Sequence, residues 1–215
     1  MAEPRLRISE IFYSVQGEST RVGLPTVFIR LTGCPLRCVW CDTEYAFTGG
    51  EMMALSEVLA KVAEFGCNTI CVSGGEPLAQ KTCIDLLAAL CDAGYSVSLE
   101  TSGALDIGDV DERVSRIMDL KAPDSGESGK NRWENIALLK AHDEVKFVLA
   151  SESDYAWAVD VVKRERLAER CTVLFSPVQG QLAPTMLAEW VVRDHLPVRF
   201  QLQQHKVLWG SERAR

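Results

Sequence analysis

Little in this sequence would take the chain into a membrane, out of the cell or onto a nucleic acid. Its longest stretch without a charged residue, residues 171–188, is interrupted by Pro177, Gly180 and Pro184 and holds two glutamines, so it does not read as a membrane span. The opening residues, MAEPRLRISE, contain no apolar h-region, and no secretory segment is expected. Basic residues are in deficit, 23 Lys and Arg against 30 Asp and Glu, for a net charge of −7. That balance argues against DNA or tRNA as a direct partner and favours a small-molecule ligand. Histidine is scarce, with three in the chain. There is no sequence repeat and no low-complexity tract. Disorder-prone composition is confined to residues 123–132 (PDSGESGKNR), long enough for a mobile cover over a site and too short to link two domains.

What is present suits an ordinary globular protein: 215 residues, 47% hydrophobic and 25% charged, enough for one domain with a substantial core. Eight cysteines without a secretory segment point to a reducing compartment, so a cytoplasmic protein is expected. Residues 6–15 carry β-branched and aromatic side chains in partial alternation and read as a strand, and residues 26–31 (TVFIRL) as a second, too continuously apolar to have a face in water. Strands and helices then alternate. Helices are expected at 56–65 with Ser56 as cap, at 79–93 ended by Gly94, at 133–141, at 151–164 capped by Ser151, and at 184–195 with Pro184 in the first turn. Strands are expected at 69–73, 95–100, 114–120, 144–149, 172–176 and 198–202. This order implies parallel strands with crossover helices, an α/β fold with too few units for a closed eight-stranded barrel. In barrel-like sheets chemistry gathers at the C-terminal ends of the strands.

The stretch that organises the chain is residues 30–47 (RLTGCPLRCVWCDTEYAF). Cys34, Cys38 and Cys41 stand there in C-x3-C-x2-C spacing directly after an apolar strand. Thiolates are the ligands of iron–sulfur clusters, and four would complete a four-iron cluster. Three on one loop, with no fourth nearby, suggest a cluster with one iron left open, the feature that separates catalytic from closed structural metal sites. A zinc loop with a distant fourth ligand, or reduced thiols clustered without a metal, remain open on the spacing alone. Cys67, Cys71, Cys83, Cys91 and Cys171 sit within helix or strand patterns and read as core.

With Trp40 before the last cysteine, this motif resembles the signature of the radical S-adenosylmethionine (radical SAM) enzymes. Further motifs narrow the resemblance: VQGE at 15–18, FIR at 28–30, CDT at 41–43, SGGEP at 73–77, ETSG at 100–103 and HK at 205–206. Together, from about residue 8 to residue 206, they resemble the 7-carboxy-7-deazaguanine synthase family. The resemblance implies a partial (β/α)6 TIM-like barrel of the radical SAM type with trimmed helices. It also implies a single domain over 1–215, with a strand extension at 1–25 and a C-terminal tail at 205–215. The implied cofactors are one [4Fe-4S] cluster on Cys34, Cys38 and Cys41, S-adenosyl-L-methionine, and Mg2+ at Thr43.

The implied reaction is a radical, magnesium-assisted ring contraction of 6-carboxy-5,6,7,8-tetrahydropterin with loss of ammonia. The implied substrate contacts are Val15, Gln16, Gly17, Arg30, Ser73 and His205. The implied S-adenosylmethionine contacts are Gly75, Glu100, Asp119, Leu120, Lys121, Ser176, Pro177, Val178 and Gln179. The chain departs from the family pattern in having Asp-Leu-Lys where Ser-Pro-Lys is usual, Ser-Pro for a common Gln-Pro, and extra residues 209–215. An external reductant such as flavodoxin and a homodimeric assembly are expected, with no direct nucleic acid and no membrane.

The residues themselves support parts of this. Two glycines in SGGEP let backbone approach a ligand, although a plain tight turn would use them too. A threonine hydroxyl is a hard oxygen donor suited to magnesium, yet it could instead bond its own loop. Arg30 closes an apolar strand, where its planar fork suits a carboxylate or a salt bridge to an acid such as Glu18. His205, expected at the end of the last strand, suits either a structural or a substrate-binding role. A glycyl-radical activase of the same superfamily and a non-catalytic iron–sulfur electron carrier stand as alternatives.

Overall fold

The structure is a computed structural model that describes residues 3–210 and 212–214. Arg5–Val15 (β1) and Pro25–Leu31 (β2) pair antiparallel, with Phe12 opposite Phe28, and Glu51–Ala54 (β3) pairs antiparallel with the other side of β1. From β2 onward the strands are parallel: Thr69–Gly74 (β4), Ser96–Thr101 (β5), Ser115–Asp119 (β6), Glu144–Leu149 (β7), Thr172–Pro177 (β8) and Arg199–Phe200 (β9). They form one nine-stranded sheet in the order β3-β1-β2-β4-β5-β6-β7-β8-β9, with no hydrogen-bonded closure between its ends among the described residues.

Four helices fill crossovers: Leu55–Glu64 (α1), Cys83–Asp92 (α2), Glu152–Arg164 (α3) and Pro184–Arg193 (α4). In place of an α-helix the β5–β6 connection has turns alone, and the β6–β7 connection has short 3-10 segments. A final helix, Gln204–Trp209 (α5), follows β9. None of the helices among the described residues is long and apolar enough to cross a membrane.

Strand alternation divides the sheet into two faces. Val27, Ile29 and Leu31, then Ile70 and Val72, Val97 and Leu99, Val145, Phe147 and Leu149, and Val173 and Phe175 join one buried cluster with Leu86, Leu87, Ala158 and Leu187 of the helices. The opposite face carries Phe28, Arg30, Ser73, Glu100, Asp119 and Lys146, with Arg30 opposite Ser73, Glu100 opposite Ile117 and Asp119 opposite Lys146. Phe12, Phe28 and Cys71 form a small separate apolar cluster on that inner face. Burying apolar side chains under helices leaves the inner face free to carry polar groups, and that face becomes the site.

Several local expectations are corrected. The α1 start is held by Glu57, whose Oε2 accepts from Ala54 N at 2.6 Å, and not by Ser56, whose N–H goes to Glu3. The helix expected from 79 starts at Cys83, because Pro77–Ala79 winds a 3-10 turn capped by the Glu76 carboxylate. Trp133–Leu138 is 3-10 rather than α. Ser151 does cap α3, accepting from Asp154 N at 3.2 Å. Residues 123–132 are no loose cover. Ser125 is fully buried, and the Asn131 amide makes two 2.9 Å bonds to the Lys121 backbone, which fix the segment despite its polar composition.

Candidate active site

The three-cysteine loop leaves the C-terminal end of β2 and is braced from several sides. Gly33 N donates to Ala46 O and Glu76 N to Gly33 O, both at 2.8 Å. Val39 N donates to Ser125 O at 3.1 Å, and Arg37 N to Glu127 Oε1 at 2.7 Å. The segment 123–132 is therefore a buttress for this loop. Cys34, Cys38 and Cys41 all line one cavity of about 240 Å³. Burial pushes the Cys34 and Cys38 thiols upward, and each is raised further by Cys41. Left alone these thiols keep their protons, and ligation to a metal would displace them. Among the described residues no group of three or more His, Cys, Asp or Glu surrounds a single-ion position.

The glycine turn after β4 makes this approach possible. A Cβ on Gly75 would stand 2.4 Å from Gly33 O and 2.7 Å from Cys34 Cβ, so backbone and cluster loop meet only because the side chain is missing. Glu76, fully buried, is structural. Its carboxylate accepts from Leu78 N, Thr101 Oγ1, Ser102 N and Ser102 Oγ at 2.5–3.0 Å, tying this turn to the ETSG turn after β5.

On the other side of the cavity Gln16 and Ser73 both reach Glu100, at 3.4 and 3.0 Å. Val15, Gln16 and Gly17 lie at the opposite end of β2 from the cluster loop, since Val15 pairs with Pro25, and their segment crosses the inner face. Glu18 meets Lys146 of β7, Thr20 N–H meets Glu144, and Ser19 O accepts from Gln201. A Cβ on Gly17 would strike His205 Nδ1 at 2.4 Å, so the glycine seats that imidazole. His205 is the second residue of α5 and not a strand end, a correction that follows from β9 stopping at Phe200.

Arg30 donates from Nε to Glu10 Oε1 at 2.6 Å, and not to Glu18. Tyr45 OH donates to the same oxygen at 2.8 Å. Burial pushes the Tyr45 hydroxyl up to about 12, against the charge of Arg30. The guanidinium lies 5.6 Å from the Phe12 ring centroid and 5.9 Å from that of Tyr45. Its two terminal nitrogens have no hydrogen bond among the described residues. Thr43 Oγ1 donates to Asp42 Oδ1 at 2.9 Å, and Asp42 pairs with Lys206 at 2.8 Å. Burial would raise the Asp42 carboxyl, but the Lys206 charge and the bonds from Lys206 and Thr43 hold it well below the usual range.

A chain of charges runs between these regions: Glu18 to Lys146 at 2.5 Å, Lys146 to Asp119 at 3.5 Å, and Asp119 to Lys121 at 3.1 Å. Burial would raise Glu18, yet the Lys146 and His205 charges and the bonds from Lys146 and Gln203 depress it. Desolvation would lower the Lys146 ammonium, but the charges of Glu18, Asp119 and Glu100 raise it well above its ordinary value.

Val15, Gln16, Gly17, Arg30, Thr43, Ser73, Gly75, Glu100, Asp119, Lys121 and His205 therefore share the cavity with the three cysteines. Leu120, Ser176, Pro177, Val178 and Gln179 do not line it. Leu120 is fully buried in the core. Ser176 follows Val148 in register on the inner face, and its buried hydroxyl lacks a partner among the described residues. Glu10, Tyr45, Lys146, Gln203 and Arg213 also build the site. No local signal singled them out, because they belong to strands, turns or tail and meet only through the fold.

A parallel sheet of this kind, with three cysteines on the loop after its first parallel strand, defines the class of radical SAM proteins, and the family model described as the Radical SAM superfamily matches residues 28–175. The chain is 46% identical over 213 residues to the 7-carboxy-7-deazaguanine synthase of Chlorobaculum tepidum, covering 98% of this chain and 97% of that one. It is 40% identical to the synthase of Koribacter versatilis, covering 96% and 98%. The chain belongs to the 7-carboxy-7-deazaguanine synthase family. The crystal structure of QueE from Escherichia coli shares the fold at a TM-score of 0.77 and 21% identity, covering 94% of this chain and 95% of that one. The expected open, barrel-like α/β architecture is thus the observed one.

Proposed function

We propose that the protein performs the reaction after which its family is named. It converts 6-carboxy-5,6,7,8-tetrahydropterin to 7-carboxy-7-deazaguanine, with one nitrogen leaving as ammonia, on the way to queuosine and related deazapurines. The observation that carries this reading is the single cavity shared by the three loop thiols and by Gln16, Arg30, Ser73, Thr43 and His205. A [4Fe-4S] cluster with S-adenosylmethionine, when bound, supplies the reversible removal of a hydrogen atom that a redox-neutral ring contraction needs.

The chain's own groups do the rest. Cys34, Cys38 and Cys41 hold the cluster, and Gly75 keeps the space beside it clear. Glu100, Asp119 and Lys121, which line the cavity, receive S-adenosylmethionine, and the backbone at Leu120 and at Ser176, Pro177, Val178 and Gln179 meets the part of that ligand that extends beyond the cavity. The unpartnered Ser176 hydroxyl suits such a ligand. Gln16, Ser73 and the backbone of Val15 and Gly17 read the pterin edge. Phe12 and Phe28, stacked with centroids 5.0 Å apart, shield the inner face from water. Thr43 and the adjacent Asp42 offer hard oxygens to Mg2+. The chain acts as one cytoplasmic domain, as a homodimer, with an external reductant such as flavodoxin.

Anaerobic turnover of the carboxypterin by reconstituted protein, with detection of the deazaguanine product, tests the reading. Intact cleavage of S-adenosylmethionine with no such product would overturn it. Two variants probe the roles. Arg30→Lys is expected to lower substrate affinity strongly while the cluster absorbance is unchanged, because lysine keeps the charge and the Glu10 contact but loses the planar second donor. Near wild-type affinity would make Arg30 a purely structural partner of Glu10. Thr43→Val is expected to lower product formation at limiting Mg2+, only partly restored by excess, while 5′-deoxyadenosine still forms. Superimposable magnesium titrations would remove Thr43 from the metal site.

A further inference from the structure

The cations around the cavity are not equally engaged. Lys206 meets Asp42 at 2.8 Å, Lys121 meets Asp119 at 3.1 Å, Lys146 lies between Glu18 and Asp119, and Arg30 meets Glu10 at 2.6 Å. Arg213 also lines this cavity, from the exposed end of the chain after α5. Among the described residues no carboxylate lies within salt-bridge range of its guanidinium.

Its place is set by packing. The Arg213 guanidinium stands 4.0 Å from the Tyr45 ring centroid, a stacking contact, and the neighbouring Ala214 rests on the inner-face cluster of Phe12, Phe28 and Cys71. Tyr45 is also the ring beside Arg30, and both Tyr45 OH and Arg30 Nε spend their bonds on one oxygen of Glu10. Two guanidinium groups therefore face one aromatic ring with a single carboxylate between them. Among the described residues this leaves a guanidinium with planar donors and no carboxylate in salt-bridge range, on the side of the cavity where the terminal nitrogens of Arg30 also lack a partner.

We propose that Arg213 is a second anchor for the substrate's carboxylate, acting with Arg30 across Tyr45, and that this arginine thereby reads substrate charge. This rests on the functional reading above, which supplies the carboxylate. It assigns a specificity role to a segment that the rest of the site does not need for holding the cluster.

The test is calorimetric binding to cluster-loaded protein with S-adenosylmethionine present, under anaerobic conditions. The probes are 6-carboxytetrahydropterin and its neutral 6-carboxamide, each measured at low and high salt. For Arg213→Gln, affinity for the acid is expected to fall about tenfold, the scale of one charge-assisted hydrogen bond, with the carboxamide unaffected. The difference between the two ligands is expected to shrink at high salt in the wild type, because the group is exposed and screened. Arg213→Lys is expected to recover part of the loss. Equal weakening of acid and amide would make the tail a mere cover and overturn the anchor, as would unchanged affinity for the acid. Wild-type protein that binds no carboxypterin would overturn the functional reading and the anchor together, whereas normal wild-type binding with an indifferent Arg213→Gln variant would overturn the anchor alone. Arg213 is exposed, so the variants are expected to fold, and unchanged cluster absorbance verifies it.

Discussion

Cys38→Ala is expected to yield a folded protein that cannot hold its cluster. Cys38 stands half-buried on a loop, so its side chain contributes little to packing. The loop is braced by backbone bonds that the substitution leaves untouched, from Val39 to Ser125 and from Arg37 to Glu127. What is lost is one of three thiols in the proposed ligand set. None of the other cysteines lines the cavity: Cys71 sits under Phe12 and Phe28, Cys83 and Cys171 are buried in the helix-side core, Cys91 packs against that core from α2, and Cys67 lies against Pro25 O at the far end of β2. Cys83→Ala is the control, costing about 1 kcal/mol of packing while keeping its iron. Iron and sulfide per chain after anaerobic reconstitution decide the matter. A full complement in Cys38→Ala would remove Cys38 from the ligands.

Lys146→Met is expected to be among the most destabilising single changes in the molecule, by about 3–5 kcal/mol in chemical denaturation. The lysine and Glu18 are each about nine-tenths buried as side chains, and Gln203 completes the Glu18 carboxylate at 2.9 Å. Removing the ammonium strands a mostly buried carboxylate in the cavity wall and leaves Asp119 with Lys121 alone. The double variant Glu18→Gln with Lys146→Met is expected to regain much of the loss, since no charge is then stranded. A single variant as stable as the wild type would mean that the pair is not closed in solution. The pH dependence has a definite sign. Glu18 is depressed below its ordinary 4.5, so its contribution is present above that value and is lost as acid carries the pH down through the lowered one. Lys146 is raised above 10.5, so its contribution persists below that value and disappears only as the pH rises through the raised one. The wild type is therefore expected to lose stability on acidification below 4.5 more steeply than the double variant.

The sequence by itself determined the parts of this protein that are written in consecutive residues. Apolar runs of five to seven residues separated by capped helices are local patterns, so the strands at Pro25–Leu31, Thr69–Gly74 and Glu144–Leu149 and the cap at Ser151 could be read directly. The cysteine spacing, the glycine turn and the family motifs are local as well, and they led to the cavity. Tertiary structure decided what depends on residues far apart in the chain. Composition marked residues 123–132 as loose, but two side-chain amide bonds and a buried serine make them the support of the cluster loop. Arg30 signalled a need for an acid. Which acid answers was settled by the antiparallel pairing that sets β1 beside β2 and brings Glu10 to it, where the sequence suggested Glu18. Glu18 instead meets Lys146, 128 residues away, because its segment crosses the inner face of the sheet. The same holds for Arg213 on Tyr45. Long-range pairing of charges follows from burial and desolvation in the finished fold, and no period or spacing in the chain encodes it.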